Sequence, residues 1–450
     1  MCDFPSSFAG VPVAVLGYGR SGRAATDFLL SRGARVSVYT ERVDAKTAKD
    51  LAARGAILRE GAFPARFDER VLVRSPVVRP DLPPILAALS SGAVLTDEVG
   101  LFCRFSPAHL VCVTGSDGKT TTTALVGAIL SAAGARVFVG GNNGSPLLAR
   151  VEEMREGDVA AAELSSFQLM TNAPRSKAAI LTNLTPNHLD WHADFAEYSA
   201  AKMRIFTHTA RAVIHADLFS LSAAIPPETP KFFFSFEERN LPLGARDALL
   251  FVRGENAVVR QGGRESEFSV FGSFALKGKH YAEDLLAAIG ALYGSVPPEA
   301  ILRGAADFRG VRHRMEYVGT VRGVAFYDSS IDTSPTRTAA ALAALPFRPV
   351  VIAGGRGKGL SLLPLGDTLA SHAKAVFLYG DTREEIFAAI GGRVPAVCFE
   401  KFADAFAGAA GAAKKGDAVV LSPGCTAFGE FRDFEERGEV FCRLVGELSR

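Results

Sequence analysis

Apolar residues fall along the chain in two alternating textures. Short β-branched runs, such as Val11 to Leu16, Arg35 to Tyr39 and Leu110 to Thr114, are followed by Ala/Leu-rich stretches such as Ala24 to Ser31 and Thr120 to Ala133. The first texture suits pleated strands and the second suits helices, so the pattern predicts an α/β chain. A further alternation begins with an expected strand at Val318 to Tyr327 and continues through Val350 to Ala353, Ala375 to Tyr379 and Ala418 to Leu421. No repeat of fixed period runs through the sequence, so the domains are expected to differ from one another.

The alternation is punctuated. Residues 74 to 84 (RSPVVRPDLPP) break any regular element, Ser106-Pro107 precedes a fresh strand, and Phe308-Arg309-Gly310 reads as a turn. A chain of 450 residues exceeds what one core supports, and these breaks divide it into three expected domains, 1–106, 107–309 and 310–450.

Composition narrows the class. Hydrophobic residues make up 48% and charged residues 22%, the balance of a soluble globular protein. The 50 basic and 48 acidic residues leave a formal charge of +2 without blocks of like charge, which excludes the footprint of a nucleic-acid binder. Any anionic ligand must be held locally. The six cysteines (Cys2, Cys103, Cys112, Cys398, Cys425, Cys442) are scattered without a CxxC pair, which fits reduced thiols in a cytoplasm better than a disulfide scaffold or zinc ribbon. No basic leader with an apolar run opens the chain, and no stretch approaches the roughly 20 apolar residues of a membrane span, so neither secretion nor membrane insertion is expected.

The sharpest chemical signal is Val111-Cys112-Val113-Thr114-Gly115-Ser116-Asp117-Gly118-Lys119-Thr120-Thr121, a strand, a glycine-rich turn and a helix start. Small residues let backbone amides converge on phosphate oxygens at a helix N-terminus, Lys119 adds positive charge, and the Thr120 hydroxyl can bind magnesium. The spacing is GxxGK[ST], two residues shorter than the common phosphate loop, and alone it predicts only a bound nucleoside triphosphate. Near the N-terminus, Gly17-Tyr18-Gly19-Arg20-Ser21-Gly22 follows a strand and opens a helix, with Glu41 past the next strand. That pattern fits a dinucleotide cofactor, another nucleotide-bearing ligand or a purely structural turn. The downstream triphosphate loop weighs against the first, since hydride transfer has no use for a γ-phosphate.

Other segments are ambiguous singly. Glu163, ending the run before Leu164-Ser165-Ser166-Phe167-Gln168, fits a second magnesium ligand of a phosphate-loop protein or a solvated cap. His188, in Thr182-Asn183-Leu184-Thr185-Pro186-Asn187-His188, fits a metal ligand or a loop hydrogen-bonder. Lys202, among Ala200, Ala201, Met203 and Phe206, fits a surface lysine or a buried neutral amine able to react with carbon dioxide to form a carbamate, a two-oxygen metal ligand. Toward the C-terminus lie a basic cluster (Gly310 to Glu316), an acidic-hydroxyl loop (Asp328 to Thr336), a second glycine-rich cationic turn (Ala353 to Gly359) and the run from Leu421 to Gly438.

Taken in order, TGSDGKTTT, ELSSFQ, TNLTPNHLD, AAKMRIF, GVRHRME and SPG…FRDFEERG make the chain resemble the Mur ligases across essentially its whole length. The resemblance implies a Rossmann-like N-terminal domain that holds the UDP of the substrate, a central ATPase domain with a mostly parallel sheet, and a Rossmann-like C-terminal domain that closes and brings the amino acid. The SSFQ, GGRGK and FEERG segments resemble the members that add D-glutamate, and the DNPR segment of the diamino-acid ligases is absent. The implied reaction is ATP-dependent ligation of D-glutamate to UDP-N-acetylmuramoyl-L-alanine through an acyl phosphate, in peptidoglycan precursor synthesis, by a cytoplasmic monomer.

The resemblance also implies site roles. Gly115, Ser116, Asp117, Gly118, Lys119, Thr120 and Thr121 would hold ATP, with Asp284, Arg314 and Asp328. Thr120 and Glu163 would hold one magnesium, and His188 with carbamylated Lys202 a second; Lys119, His188 and Lys202 are the catalytic candidates. Gly17, Gly19, Arg20, Ser21, Ser75 and Asn142 would face the UDP-substrate, Lys358 and Phe434 would face D-glutamate, and Thr333, in the 328 to 333 loop that corresponds to nucleotide contacts, is a further substrate-binding candidate. The chain departs from the family pattern at Asp117, where asparagine is usual, at His280-Tyr281-Ala282-Glu283-Asp284 over the adenine, and at Ala427, where a serine is frequent. The acidic residue of the 328 loop aligns with Asp328 or, shifted by one, with Ser329. A folylpolyglutamate synthetase or a diamino-acid ligase would share the ATP site and differ in the terminal domains; a nucleotide switch without chemistry would need neither Lys202 nor Lys358.

Overall fold

The computed structural model describes residues 4, 5, 7–142, 145–276, 278–357 and 361–448. Its chain forms two compact units, Met1–Phe308 and Arg309–Arg450. Both are α/β, with mostly parallel sheets.

The first unit carries two large sheets. In the first, the strands Ile57–Glu60, Arg35–Thr40, Pro12–Leu16, Val71–Arg74 and Val94–Asp97 lie side by side in that order, all parallel. The second has nine strands in the order Arg264–Ser269, Asn256–Gln261, Ala248–Arg253, Lys231–Phe234, Ala212–His215, Ala178–Leu181, His109–Thr114, Val159–Glu163 and Val137–Gly141. Its first three strands are antiparallel and the rest parallel. Parallel strands buried on both faces read as near-continuous apolar runs, as in Leu110-Val111-Cys112-Val113.

Register is what builds the site. Thr114 pairs with Leu181 and Val113 with Glu163, so three neighbouring strands end together and release their loops along one edge. In open parallel sheets that carboxyl edge is where ligands bind. One apolar cluster joins both sheets and helices packed on them, among them Val13, Phe28 and Phe102 with Leu110, Phe138 and Leu147. The Ser106-Pro107 break lies in the connection between the helix Glu98–Phe105 and the strand His109–Thr114, inside this unit.

The second unit has one six-stranded sheet in the order Glu316–Val321, Val324–Asp328, Ala418–Gly424, Val350–Gly354, Ala375–Tyr379 and Ala396–Phe399. Apolar clusters cover both of its faces, one around Phe326, Phe406 and Phe441 and one around Leu342, Leu365 and Ile386. The single strand expected over Val318 to Tyr327 is instead an antiparallel hairpin. It turns at Arg322 and Gly323, whose φ angles of 52° and 79° match the two left-handed central residues of a tight hairpin turn. The valines on either side carry an unbroken apolar pattern through the turn, and so conceal it.

Candidate active site

The phosphate loop leaves the strand His109–Thr114 through two glycines in conformations that favour glycine, Gly115 with φ 154° and Gly118 with φ 77°. A β-carbon at Gly115 would collide with the Thr182 hydroxyl, and one at Gly118 with the Asp284 carboxylate. Both glycines therefore lie too close to neighbouring segments for any side chain. The helix Lys119–Ala132 begins directly afterwards with no side-chain cap, and its N-terminus is the helix end that favours an anion. Lys119 donates from Nζ to the Ser116 carbonyl at 2.8 Å. The Ser116 hydroxyl accepts from the Thr185 amide at 2.9 Å and lies 2.8 Å from the Tyr198 hydroxyl, and the Asp117 amide donates to Asn183 Oδ1 at 2.9 Å. Thr121 is half-buried in the first helical turn.

Glu163 ends its strand beside this loop, 2% exposed. Its two oxygens are divided: Thr120 Oγ1 donates to Oε2 at 2.7 Å and Asn142 Nδ2 donates to Oε1 at 2.8 Å. Asp284, on the helix Lys279–Leu292, accepts from Thr122 Oγ1 at 2.9 Å, so it touches the phosphate-loop helix itself.

Lys202 lies on the helix Phe195–Met203 and is 2% exposed. Its Nζ donates to the Gly115 carbonyl at 2.7 Å and to Thr114 Oγ1 at 3.3 Å. Burial, reinforced by the nearby Lys119 charge, pushes its pKa down to about 7. His188 has a φ of 55°, rare for a residue with a side chain, and its ring lies 5.0 Å from that of Phe167. Partial burial, then the charges of Lys119 and Lys202, lower its pKa against the opposing pull of Asp190.

The remaining expected residues of this unit stand at the end of the first sheet. Gly17 has a φ of 94°, and a β-carbon there would lie 2.9 Å from Ser75 Cβ. A side chain at Gly22 would overlap the Gly17 carbonyl. Gly19 precedes the helix Arg20–Ser31 without a side-chain cap, and Arg20 and Ser21 stand in its first turn. The structure thus gathers the phosphate-loop residues with Asn142, Glu163, His188, Lys202 and Asp284, and groups Gly17, Gly19, Arg20, Ser21 and Ser75 around the neighbouring sheet's edge.

The other expected residues belong to the second unit. Arg314 is exposed between two residues of positive φ, His313 at 61° and Met315 at 45°. Asp328 is fully buried, its Oδ2 2.7 Å from His313 Nδ1 and its Oδ1 accepting from the Ser330 amide at 2.8 Å. Ser329 is buried as well, accepting from the Met315 amide at 3.1 Å. His313, Glu316 and Asp328 bring potential ligand atoms within 4.8 Å of one another. Thr333 follows in the same loop, and Phe434 opens the helix Phe434–Leu448, its carbonyl accepting from Ser330 Oγ at 2.8 Å. Lys358 lies outside the described residues. Ala427 lines a cleft of about 430 Å³ with Arg356, Tyr379, Lys401 and Phe428.

Several residues that build the site escape the motif reading. Thr182, Asn183 and Tyr198 brace the phosphate loop, and His192 is a buried histidine between Ser166 and Glu197. One signal lies in the chain order: Thr182-Asn183 directly follow the strand Ala178–Leu181, which pairs with the phosphate-loop strand. His192, four residues after His188, carried no comparable mark.

Residues 113–292 match the Mur ligase middle domain, and residues 313–425 match the Mur ligase glutamate ligase domain. Among curated relatives, the UDP-N-acetylmuramoylalanine–D-glutamate ligase of Symbiobacterium thermophilum is 39% identical over 97% of this chain and 98% of its own. That of Clostridium tetani is 35% identical over 99% of both chains. Among solved structures, the UDP-N-acetylmuramate–alanine ligase of Thermotoga maritima aligns with a TM-score of 0.55 at 18% identity, covering 97% of this chain and 99% of its own. Escherichia coli FolC in complex with ADP aligns with a TM-score of 0.54 at 17% identity, covering 78% and 94%. At these identities the two structures speak for the fold alone.

Proposed function

We infer the reaction of a chain that belongs to the Mur ligase family: ATP-dependent ligation of D-glutamate to UDP-N-acetylmuramoyl-L-alanine, a step of peptidoglycan precursor synthesis. The observation that carries the site assignment is the division of Glu163 between Thr120 and Asn142. One carboxylate there joins a phosphate-loop hydroxyl to an amide on the acceptor side.

Three domains serve the reaction in this reading. Residues 1–106 hold the UDP portion, with Gly17, Gly19, Arg20, Ser21 and Ser75 around it; residues 107–309 hold ATP; residues 310–450 hold D-glutamate through Lys358 and Phe434, with Thr333 as a further substrate-binding candidate. We assign the protein to the cytoplasm, as a monomer. No helix among the described residues is long and apolar enough to cross a membrane.

A carboxylate does not acylate an amine in neutral water, so its oxygen must be made a leaving group. The terminal carboxylate of the alanyl substrate attacks the γ-phosphorus of ATP, forming an acyl phosphate and releasing ADP. The D-glutamate amine then adds to the acyl carbon, and inorganic phosphate leaves from the tetrahedral adduct. The protein's part in the first step is positioning and charge neutralisation. The glycine-rich turn and the start of the helix Lys119–Ala132 receive the phosphates, and Lys119 meets the charge that gathers on the transferred group.

Two magnesium ions belong to this reading. Thr120 and Glu163 would hold one, since a hydroxyl and a carboxylate oxygen already converge at 2.7 Å. His188 and Lys202 would hold the other, Lys202 as a carbamate; a lysine 2% exposed and pushed to about 7 has the neutral amine that carbon dioxide requires. When bound, the metals supply charge neutralisation to the phosphoryl oxygens. The reading is tested by phosphate release from the purified protein with ATP, UDP-N-acetylmuramoyl-L-alanine and D-glutamate, omitting each in turn. Release that persists without either acceptor substrate would contradict it.

A further inference from the structure

Arg79 lies in the loop after the strand Val71–Arg74, four residues from Ser75, and its side chain reaches the segment that carries His188 and leads to Lys202. One face of the guanidinium is braced within its own loop, donating to Asp81 at 2.9 and 2.7 Å. The other meets Glu197, with Nη2 to Oε1 at 2.9 Å and Nη1 to Oε2 at 3.3 Å, and Nη1 also reaches the Trp191 carbonyl at 2.5 Å. The same guanidinium lies over the Trp191 ring, 4.9 Å from its centroid, and the indole N–H returns a bond to the Val77 carbonyl at 2.8 Å. The planar fork of an arginine can make all these contacts at once; a lysine cannot.

From Glu197 the chain of contacts runs inward. Glu197 Oε2 accepts from the Ala193 amide at 2.9 Å and lies 3.0 Å from His192 Nδ1, while His192 Nε2 lies 2.9 Å from the Ser166 hydroxyl, next to the loop after Glu163. The ring of Phe167 is flanked by His188 at 5.0 Å and Trp191 at 4.4 Å. The amides of Trp191 and His192 both donate to the His188 carbonyl, at 3.1 and 2.9 Å. His188 holds a φ of 55°, a conformation that persists only where its surroundings over-determine it. Those surroundings are Trp191, His192 and Phe167. Glu197 stands in the first turn of the helix Phe195–Met203, which carries Lys202 and whose other anchors are Tyr198 on Ser116 and Lys202 on Gly115.

We propose that Arg79 is a positioning residue: through Glu197 and Trp191 it locks the UDP-substrate loop to the 188–202 segment, and so fixes the position of His188 in the active site. Side-chain exposures of 24% for Arg79 and 25% for Glu197 put the clamp at the rim, where its loss spares the core. Misplacement of a reacting group by about 1 Å is enough for a large rate loss. The inference rests on the functional reading above.

The test is steady-state kinetics of Arg79→Ala, Arg79→Lys, Glu197→Gln and Arg79→Ala/Glu197→Gln, with rates expressed per folded molecule. Arg79→Ala should lower kcat about tenfold and raise the KM for UDP-N-acetylmuramoyl-L-alanine, while the KM for ATP stays within twofold. Arg79→Lys should recover part of the loss, and the double variant should be no worse than the weaker single one, because both remove one clamp. A kcat per folded molecule within twofold of wild type for Arg79→Ala, or full additivity in the double variant, would overturn the proposal. If Arg79→Ala does not fold, the same criterion falls on Arg79→Lys and Glu197→Gln. A wild-type protein without acceptor-dependent turnover would instead overturn the functional reading.

Discussion

Lys202 Nζ sits 2.7 Å from the carbonyl of Gly115, tucked beneath the phosphate loop and not pointing to solvent. Two chain segments 87 residues apart are thereby joined at the point where the triphosphate turn begins.

The first prediction follows from that burial. The folded-state pKa of Lys202 is lowered to about 7, while the unfolded chain titrates near the ordinary lysine value of about 10.4. Between these values the unfolded state binds more protons, so stability rises with pH through the window, and the burial penalty is complete below about 7. In buffer free of carbon dioxide, Lys202→Met should therefore be more stable than wild type near pH 6.5, by roughly 2 kcal/mol or more, an advantage that shrinks toward pH 9.5. Urea unfolding at the two pH values checks this. For the reaction, Lys202→Ala should lose most activity and regain part of it with small carboxylic acids that replace the carbamate.

Lys119 carries the positive charge of the phosphate loop. Removing it should cost on the order of 3 kcal/mol or more, a hundredfold or greater loss of turnover. If Lys119→Ala released phosphate at a tenth of the wild-type rate, Lys119 would have no direct role.

Glu163 joins Thr120 and Asn142, so its loss should disturb metal and acceptor together. Chelation of magnesium should abolish phosphate release. Glu163→Ala should raise the magnesium concentration for half-maximal rate about tenfold or more, since one hard oxygen ligand is gone. An unchanged magnesium titration would remove Glu163 from the metal site.

Arg437 is fully buried in the second unit and donates to Ser330 Oγ at 2.8 Å, the Ser330 carbonyl at 2.8 Å, the Tyr379 hydroxyl at 3.1 Å and the Cys425 carbonyl at 3.2 Å. It ties the loop after the strand Val324–Asp328 to the ends of two other strands. Arg437→Met keeps much of the volume but leaves these acceptors unpaired, which should destabilise the fold by about 3 kcal/mol. A shift of the unfolding midpoint worth less than 0.5 kcal/mol, roughly the effect of a neutral surface change, would contradict this.

The sequence made the local signals readable where one short segment carries the whole geometry. The phosphate loop is such a case: Thr114 to Thr121 contains its strand end, both glycines and its helix start. Contacts between distant segments were harder to see. Arg79 meets Glu197 across 118 residues, and nothing in either local pattern marks the pair. His192 looked like any polar loop residue, because its burial depends on Phe167 and Tyr198 from other segments. The hairpin at Arg322-Gly323 was hidden by valines on both sides of the turn.

The central claim, that D-glutamate is the amino acid joined, is tested most directly by an amino-acid panel. Purified protein is supplied with ATP and UDP-N-acetylmuramoyl-L-alanine, then with D-glutamate, L-glutamate, L-alanine or a diamino acid, and phosphate release is followed. D-glutamate alone should support rapid release, and Lys358→Ala should raise its KM about ten- to a hundredfold, the worth of one charge-assisted contact, with ATP affinity little changed. Equal or faster turnover with any other amino acid would contradict the account, and a D-glutamate KM within twofold of wild type in Lys358→Ala would remove that lysine as its handle.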